Sequence, residues 1–208
     1  MNATKSPRKK LPRIPTKDIP TALIYEIMDG KPVYYKGYRE VLNNEKTLEE
    51  VMGASTLQGF IVAYILKTLY RNLDDNLYNI LTNEQGLHLN RKNNLSADIA
   101  IYEKTKLSAA QADKQYATLP PKIQIEVDIN ADMDEELSET SYIQQKTDKL
   151  LAFGVEKVIW VLSDSKKVIV ATPHDNWQMI DWHKDIEVVD GVGFCIGGYL
   201  LEEGSPFA

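Results

Sequence analysis

Apolar and polar positions along the chain switch between two periods, and each switch marks an element. Two short alternating runs, Tyr25-Glu-Ile-Met28 and Lys31-Pro-Val-Tyr-Tyr35, flank Asp29-Gly30, a pair that tolerates the positive φ of a tight turn; this predicts a β-hairpin. Leu57, Ile61, Ile65 and Leu69 then recur at four-residue steps, widened by Phe60, Tyr64 and Leu66, with Ser55 in capping position. The spacing predicts a largely buried helix from Ser55 to about Leu73. From Tyr78 the period falls to two. Residues 78–82, 86–89 and 95–102 read as strands, the last after an Asn93-Asn94 turn, and Lys122-Ile-Gln-Ile-Glu-Val-Asp128 alternates cleanly. Ser138 or Ser141 starts a second helix that ends at Gly154, a residue suited to a left-handed cap. Strands at 157–162 and 167–172 follow. This order predicts an α/β (α+β) domain, a mixed central β-sheet flanked by helices with an N-terminal β-hairpin.

Composition sets limits on this picture. At 208 residues, 43% hydrophobic and 26% charged, the chain is neither a disordered nor a fibrous sequence. Pro7, Pro12, Pro15 and Pro20 lie among basic residues and set residues 1–20 apart as an arm, leaving 21–208 as a single domain. The arm holds six basic residues and one acid, so of the total charge of −6 it carries +5 and the rest −11. Such a balance excludes a protein that coats nucleic acid by bulk electrostatics. Cys195 is the only cysteine, which excludes an intrachain disulfide and a multi-cysteine zinc site. The apolar run at 57–66 is too short to span a bilayer and no signal-type segment follows the basic start, so a cytoplasmic protein without a membrane partner is expected.

Candidate chemistry lies where charge interrupts an apolar pattern. On the strand at 95–102, Asp98 faces opposite Leu95, Ala97, Ile99 and Ile101. On the strand at 122–128, Gln124, Glu126 and Asp128 face opposite Ile123, Ile125 and Val127; Glu126 and Asp128 stand about 7 Å apart, close enough to share a hydrated cation. These acids open a run of seven in the fourteen residues 126–139, with no lysine or arginine among them. In the helix that follows, Ile143, Leu150 and Phe153 form the apolar stripe, and Lys146 occupies the slot that completes it. A core-facing ammonium needs a carboxylate, and clustered carboxylates need a cation. Plainer readings stand beside these: a solvated sheet face for Asp98 and Glu126, a solvated loop for the acidic run, and a lysine that snorkels to the core rim. Glu84, before Asp98, is a further carboxylate with a surface role as its alternative. The three histidines lack the spacing of a zinc site.

The ordered set Ser96-Ala-Asp-Ile-Ala-Ile101, Pro121-Lys-Ile-Gln-Ile-Glu-Val127, Lys146 and Gly154-Val-Glu-Lys-Val-Ile-Trp-Val161 resembles the Uma-two family of restriction-endonuclease-like proteins, small members of the PD-(D/E)xK nuclease superfamily. The resemblance covers roughly Ile24 to Val170, including Tyr25-Glu-Ile-Met-Asp-Gly30. It implies a restriction-endonuclease-like core, with Asp98 and Glu126 as Mg²⁺ (or Mn²⁺) ligands, the Val127 carbonyl as a backbone ligand, and Lys146 as the catalytic lysine. The implied activity is metal-dependent endonucleolytic hydrolysis of phosphodiester bonds, with DNA as partner and a homodimer for cutting both strands. Asp128 and, more remotely, Glu84 and Gln124 complete the candidate set. The chain departs from the family pattern at Ala97, Asp128, Tyr142, Leu150 and Gln58, where the family commonly has proline, lysine, aspartate, tyrosine and histidine. These departures define the alternative expectation: a catalytically silent nuclease-fold protein that binds nucleic acid or a protein partner.

Overall fold

The structure is a computed structural model that describes residues 18–133 and 137–208. The expected arm, as far as Lys17, and Asp134, Glu135 and Glu136 of the acidic run lie outside the described residues. The N-terminal hairpin forms from β1 (Ile24–Met28) and β2 (Lys31–Tyr34). Asp29 and Gly30 both adopt positive φ, 53° and 76°, as a twisted two-residue turn requires. Two short helices follow, α1 (Tyr38–Leu42) and α2 (Leu48–Met52), the second opened by a Thr47 and Glu50 capping box. Next comes α3 (Thr56–Asn72), whose N-cap Ser55 Oγ accepts a hydrogen bond from the Gln58 N–H at 3.1 Å. Its stripe of Ile61, Ile65 and Leu69 is fully buried.

Six strands make the central sheet: β3 (Tyr78–Thr82), β6 (Ile99–Glu103), β7 (Ile123–Val127), β8 (Lys157–Leu162), β9 (Lys167–Ala171) and β10 (Gln178–Asp181), in the spatial order β10-β9-β8-β7-β6-β3. All pairs are antiparallel except β7 and β8, which are parallel and joined through α4 (Glu139–Phe153). Ser138 caps α4 and Gly154, at φ 115°, closes it. A second sheet, ordered β2-β1-β5-β4, adds β4 (Leu87–Asn90) and β5 (Asn93–Leu95). The chain ends in the hairpin β11 (Ile186–Val189) and β12 (Val192–Phe194) and the helix α5 (Ile196–Glu202), none of which the hydrophobic pattern had marked. The mixed α/β class and mixed central sheet agree with expectation.

Two differences bear on the site. Asn93 and Asn94 lie in β5, and the turn before them is Arg91-Lys92, where Asn90 Oδ1 accepts from the Lys92 N–H at 2.9 Å. The strand expected over 95–102 is also two strands. β5 ends in the small sheet at Leu95, β6 begins in the central sheet at Ile99, and Ser96-Ala97-Asp98 crosses between them. Side chains and a neighbouring loop satisfy the crossover. Ser96 N–H donates to Glu26 Oε1 at 2.8 Å, and the Ala97 N–H and C=O both pair with the Gln85 backbone.

Both faces of the central sheet are covered. Ile123, Ile125 and Val127 of β7 pack in one cluster with Ile61, Ile65 and Leu69 of α3. Tyr142, Ile143 and Leu150 of α4 pack with Leu87 and Leu95 of the small sheet and Trp160 of β8 in a second cluster, on the other face. Glu126 and Gln124 point into that second layer and are 2% and 0% exposed. The solvated-face reading therefore fails at Glu126, whose face of the sheet is roofed by α4 and the hairpin.

Candidate functional site

Lys146 faces the sheet because it lies one turn from both Tyr142 and Leu150 on the buried side of α4. Its side chain does not snorkel; it is 0% exposed. The ammonium lies 2.8 Å from Glu26 Oε1 and 3.0 Å from Glu126 Oε1. The rings of Trp160, Tyr25 and Tyr142 surround it with centroids at 5.4, 5.9 and 5.9 Å. Burial works against its charge, but Glu126 and Glu26 outweigh burial and hold the pKa above the ordinary lysine value. Lys149, three residues on, pairs instead with Asp29 near the surface at 2.8 Å.

Glu126 is the second partner. Its Oε1 forms an ion pair with Lys146 and accepts a short hydrogen bond from Gln124 Nε2, while Oε2 accepts from no described residue. Burial first, then the charges of Asp98 and Glu26, push its pKa up to about 8 against the pull of Lys146. Gln124 also donates to the Ser96 carbonyl at 3.1 Å, and its own carbonyl oxygen is buried without a partner.

Asp98 ends the crossover. Its Oδ2 accepts from the Val127 N–H at 2.7 Å, which brings it to the end of β7, next to Glu126. Oδ1 accepts from no described residue, and Asp98 makes no ion pair with Lys146. Burial raises its pKa to about 6, opposed by the Val127 N–H and Lys146. The Val127 carbonyl accepts from Gln58 Nε2 at 2.8 Å, which leaves one lone pair on that oxygen.

Asp128 departs from the expected geometry. β7 ends at Val127, and Asp128 turns to φ 61°, so its side chain does not continue the face of Glu126. Both of its oxygens are taken by Ser163, from the N–H at 2.7 Å and the hydroxyl at 2.8 Å. Glu84 is exposed, at φ 51° in the connection after β3, and shares a cleft with Asp98 rather than a strand. That cleft, about 360 Å³, is lined by Tyr25, Gln58, Asn83, Glu84 and Asp98 with an apolar wall from α3, and among the described residues no lysine, arginine or histidine lines it. A larger cleft of about 780 Å³ adjoins it through Gln58, Asp128 and Asn130.

One residue of the cluster was not singled out as a site candidate in the sequence. Glu26 of β1 is 3% exposed and accepts four hydrogen bonds. Lys146, the Ser96 N–H and the Ser96 hydroxyl reach Oε1 at 2.8, 2.8 and 3.0 Å, and the Tyr142 hydroxyl reaches Oε2 at 2.7 Å. Its only local signal was the alternation that puts it on the same face of β1 as Met28, and β1 carries apolar residues on both faces.

Asp98 and Glu126 each keep a free oxygen, and the Val127 carbonyl is adjacent in sequence to Glu126. Such hard oxygen donors suit Mg²⁺ or Mn²⁺, which binds through one or two carboxylates and keeps several waters. Among the described residues no group of three or more His, Cys, Asp or Glu is placed to hold a metal ion. No helix among the described residues is long and apolar enough to cross a membrane.

No family model and no curated protein matches the chain. Among solved structures, it is similar to the crystal structure of a putative nuclease belonging to DUF820 from Anabaena variabilis. The TM-score is 0.59 at 12% sequence identity, over 83% of this chain and 87% of the other. A likeness of that extent at so low an identity is one of fold: the chain has a mixed α/β, restriction-endonuclease-like architecture of the kind found in a nuclease-like protein.

Proposed function

We propose that the protein is a divalent-metal-dependent endonuclease that hydrolyses phosphodiester bonds, with DNA as its substrate. The observation that carries this reading is the wholly buried Lys146 ammonium, 3.0 Å from a Glu126 carboxylate that stands beside Asp98 at the end of β7. In this reading Asp98, Glu126 and the Val127 carbonyl hold Mg²⁺ or Mn²⁺. The bound ion would polarise the phosphate and acidify a water. The chain's own residues do the positioning. The Val127 N–H fixes Asp98, Gln58 fixes the Val127 carbonyl, and Lys146 offsets negative charge through Glu126 rather than by touching the substrate. With no cationic side chain among the described residues that line the cleft, phosphate binding at the acids falls to the metal. Two copies of the chain would serve the two strands of a duplex.

The test is cleavage of plasmid and oligonucleotide DNA in Mg²⁺ or Mn²⁺. Asp98→Ala and Glu126→Ala should each lower the rate by on the order of 100-fold. Cleavage that survives both substitutions together overturns the assignment. The burial of Lys146 and Glu126 favours, as a second reading, a catalytically silent nuclease fold. Calorimetric titration with Mn²⁺ separates the two, since binding that is abolished by Glu126→Ala speaks against silence.

A further inference from the structure

We propose that Glu26 is a positioning residue, the resident counter-ion of Lys146, supplied by the small sheet so that Glu126 stays available to a divalent cation. The inference rests on the nuclease reading and names the device that makes its acid site usable. The two carboxylates that meet Lys146 are bonded differently. Glu26 is saturated, with three donors on Oε1 and one on Oε2. Glu126 has one hydrogen-bond donor, Gln124, and the Lys146 ion pair on Oε1, and no described donor on Oε2. A carboxylate whose lone pairs are filled by fixed donors has no site left for a metal; one with a bare oxygen has.

Charge accounting points the same way. A buried ammonium requires one full negative partner. Were Glu126 the only one, a cation arriving at Glu126 would compete with Lys146 for the same charge and lie close to an uncompensated ammonium. With Glu26 in place, Glu26 and Lys146 form a neutral pair, and Glu126 and Asp98 can turn toward a cation without stranding Lys146. Glu26 also holds the Ser96 N–H and hydroxyl two residues before Asp98, so one side chain both neutralises the lysine and anchors the crossover that carries the first ligand. Tyr142, one turn before Lys146, completes this hold from α4.

The experiment is a double-mutant cycle on the full chain, with Glu26→Gln, Lys146→Met and the double variant compared with the wild type. Mn²⁺ affinity by calorimetry and plasmid cleavage are the readouts. Glu26→Gln should weaken Mn²⁺ binding by about tenfold or more while Lys146 is present, and by less than about threefold in the Lys146→Met background, where no counter-ion is needed. The double variant should also unfold at higher temperature than Lys146→Met alone, because it no longer buries an unpaired Glu26. A residue with only a scaffolding role would move stability without this dependence on Lys146. Equal losses in the two backgrounds, with wild-type binding and cleavage intact, overturn the role of Glu26 and leave the nuclease reading standing. A wild type that neither binds Mn²⁺ nor cleaves DNA overturns both. If Glu26→Gln does not fold, Tyr142→Phe removes one of its four donors, and the same Lys146-dependent loss, about threefold, is expected; a loss independent of Lys146 refutes the proposal.

Discussion

Replacing Glu126 by glutamine should make the protein more stable at alkaline pH while abolishing its proposed metal site. The Glu126 carboxyl is 2% exposed, and burial, with Asp98 and Glu26, lifts its pKa from 4.5 to about 8. The folded chain therefore keeps a proton that the unfolded chain releases. With the folded value raised, the stability linked to this group is complete below about pH 4.5 and is lost as pH rises toward about 8. At about 1.36 kcal/mol per pKa unit the loss is on the order of 3 kcal/mol at pH 7 and nearer 5 kcal/mol above pH 8. Glu126→Gln removes the ionisation and keeps an oxygen that accepts from Lys146 and Gln124, while Glu26 still neutralises Lys146. At about 2–4 °C per kcal/mol for a chain of this length, the variant should melt up to about 6–12 °C above the wild type near pH 7. Its Tm should also change less with pH. Melting followed by circular dichroism across pH 5 to 8, without divalent ions, measures both quantities. A variant that melts several degrees below the wild type at pH 8, with an unchanged pH slope, would mean that Glu126 is an ionised partner on which Lys146 depends, and the reasoning would be wrong.

Lys146→Met leaves the buried Glu26 carboxylate without its counter-ion and should cost about 3–5 kcal/mol; denaturant unfolding of the variant and the wild type reads the difference. Because Asp98 and Glu126 have pKa values raised to about 6 and about 8, Mn²⁺ must displace protons from them, so its apparent affinity should increase from pH 6 to pH 8. Calorimetry in buffers of different ionisation enthalpy measures the protons released, and a pH-independent affinity rejects the ligand assignment. Asp128→Ala deprives the Ser163 N–H and hydroxyl of their acceptor and should lower stability by about 1–3 kcal/mol while Mn²⁺ affinity stays within about twofold of wild type. Gly154→Ala places a Cβ at φ 115° and 3.1 Å from Pro120 Cγ; a loss of about 1–2 kcal/mol in thermal unfolding is expected.

The legible parts of this fold are those where one period runs long enough to be counted. The 17 residues of α3 and the 15 of α4 repeat their stripes over several turns, and each has a serine cap. Lys146 could be found because its charge breaks such a stripe. Glu26 could not, since the lysine it pairs with is 120 residues away in sequence and nothing local distinguishes an inward glutamate in a five-residue strand. Alternation also does not say which sheet a strand joins. The run at 95–102 keeps its period across the crossover, and only the reach of Glu26 and Gln85 to Ser96 and Ala97 divides it. The turn of Asp128 away from the face of Glu126 was illegible for a related reason: it is a left-handed residue at a strand end, bonded to Ser163 on the neighbouring strand end. The C-terminal elements span three to seven residues, and α5 contains Gly197 and Gly198; its helicity comes from burial of Ile196 and Leu200 rather than from propensity.

The crossover at Ser96-Ala97-Asp98 has a dynamic consequence. The amide protons of Ser96 and Val127 are both held by carboxylates, of Glu26 and Asp98, and these two hydrogen bonds stitch the small sheet to the central one at the acids themselves. Sliding one sheet against the other would break them together, and would also separate Glu26 from Lys146. The acid cluster therefore has no private opening mode. Its amides should exchange with solvent deuterium only through the cooperative unit that contains both sheets, among the slowest in the molecule, which sets this centre apart from sites carried on loops that open by themselves.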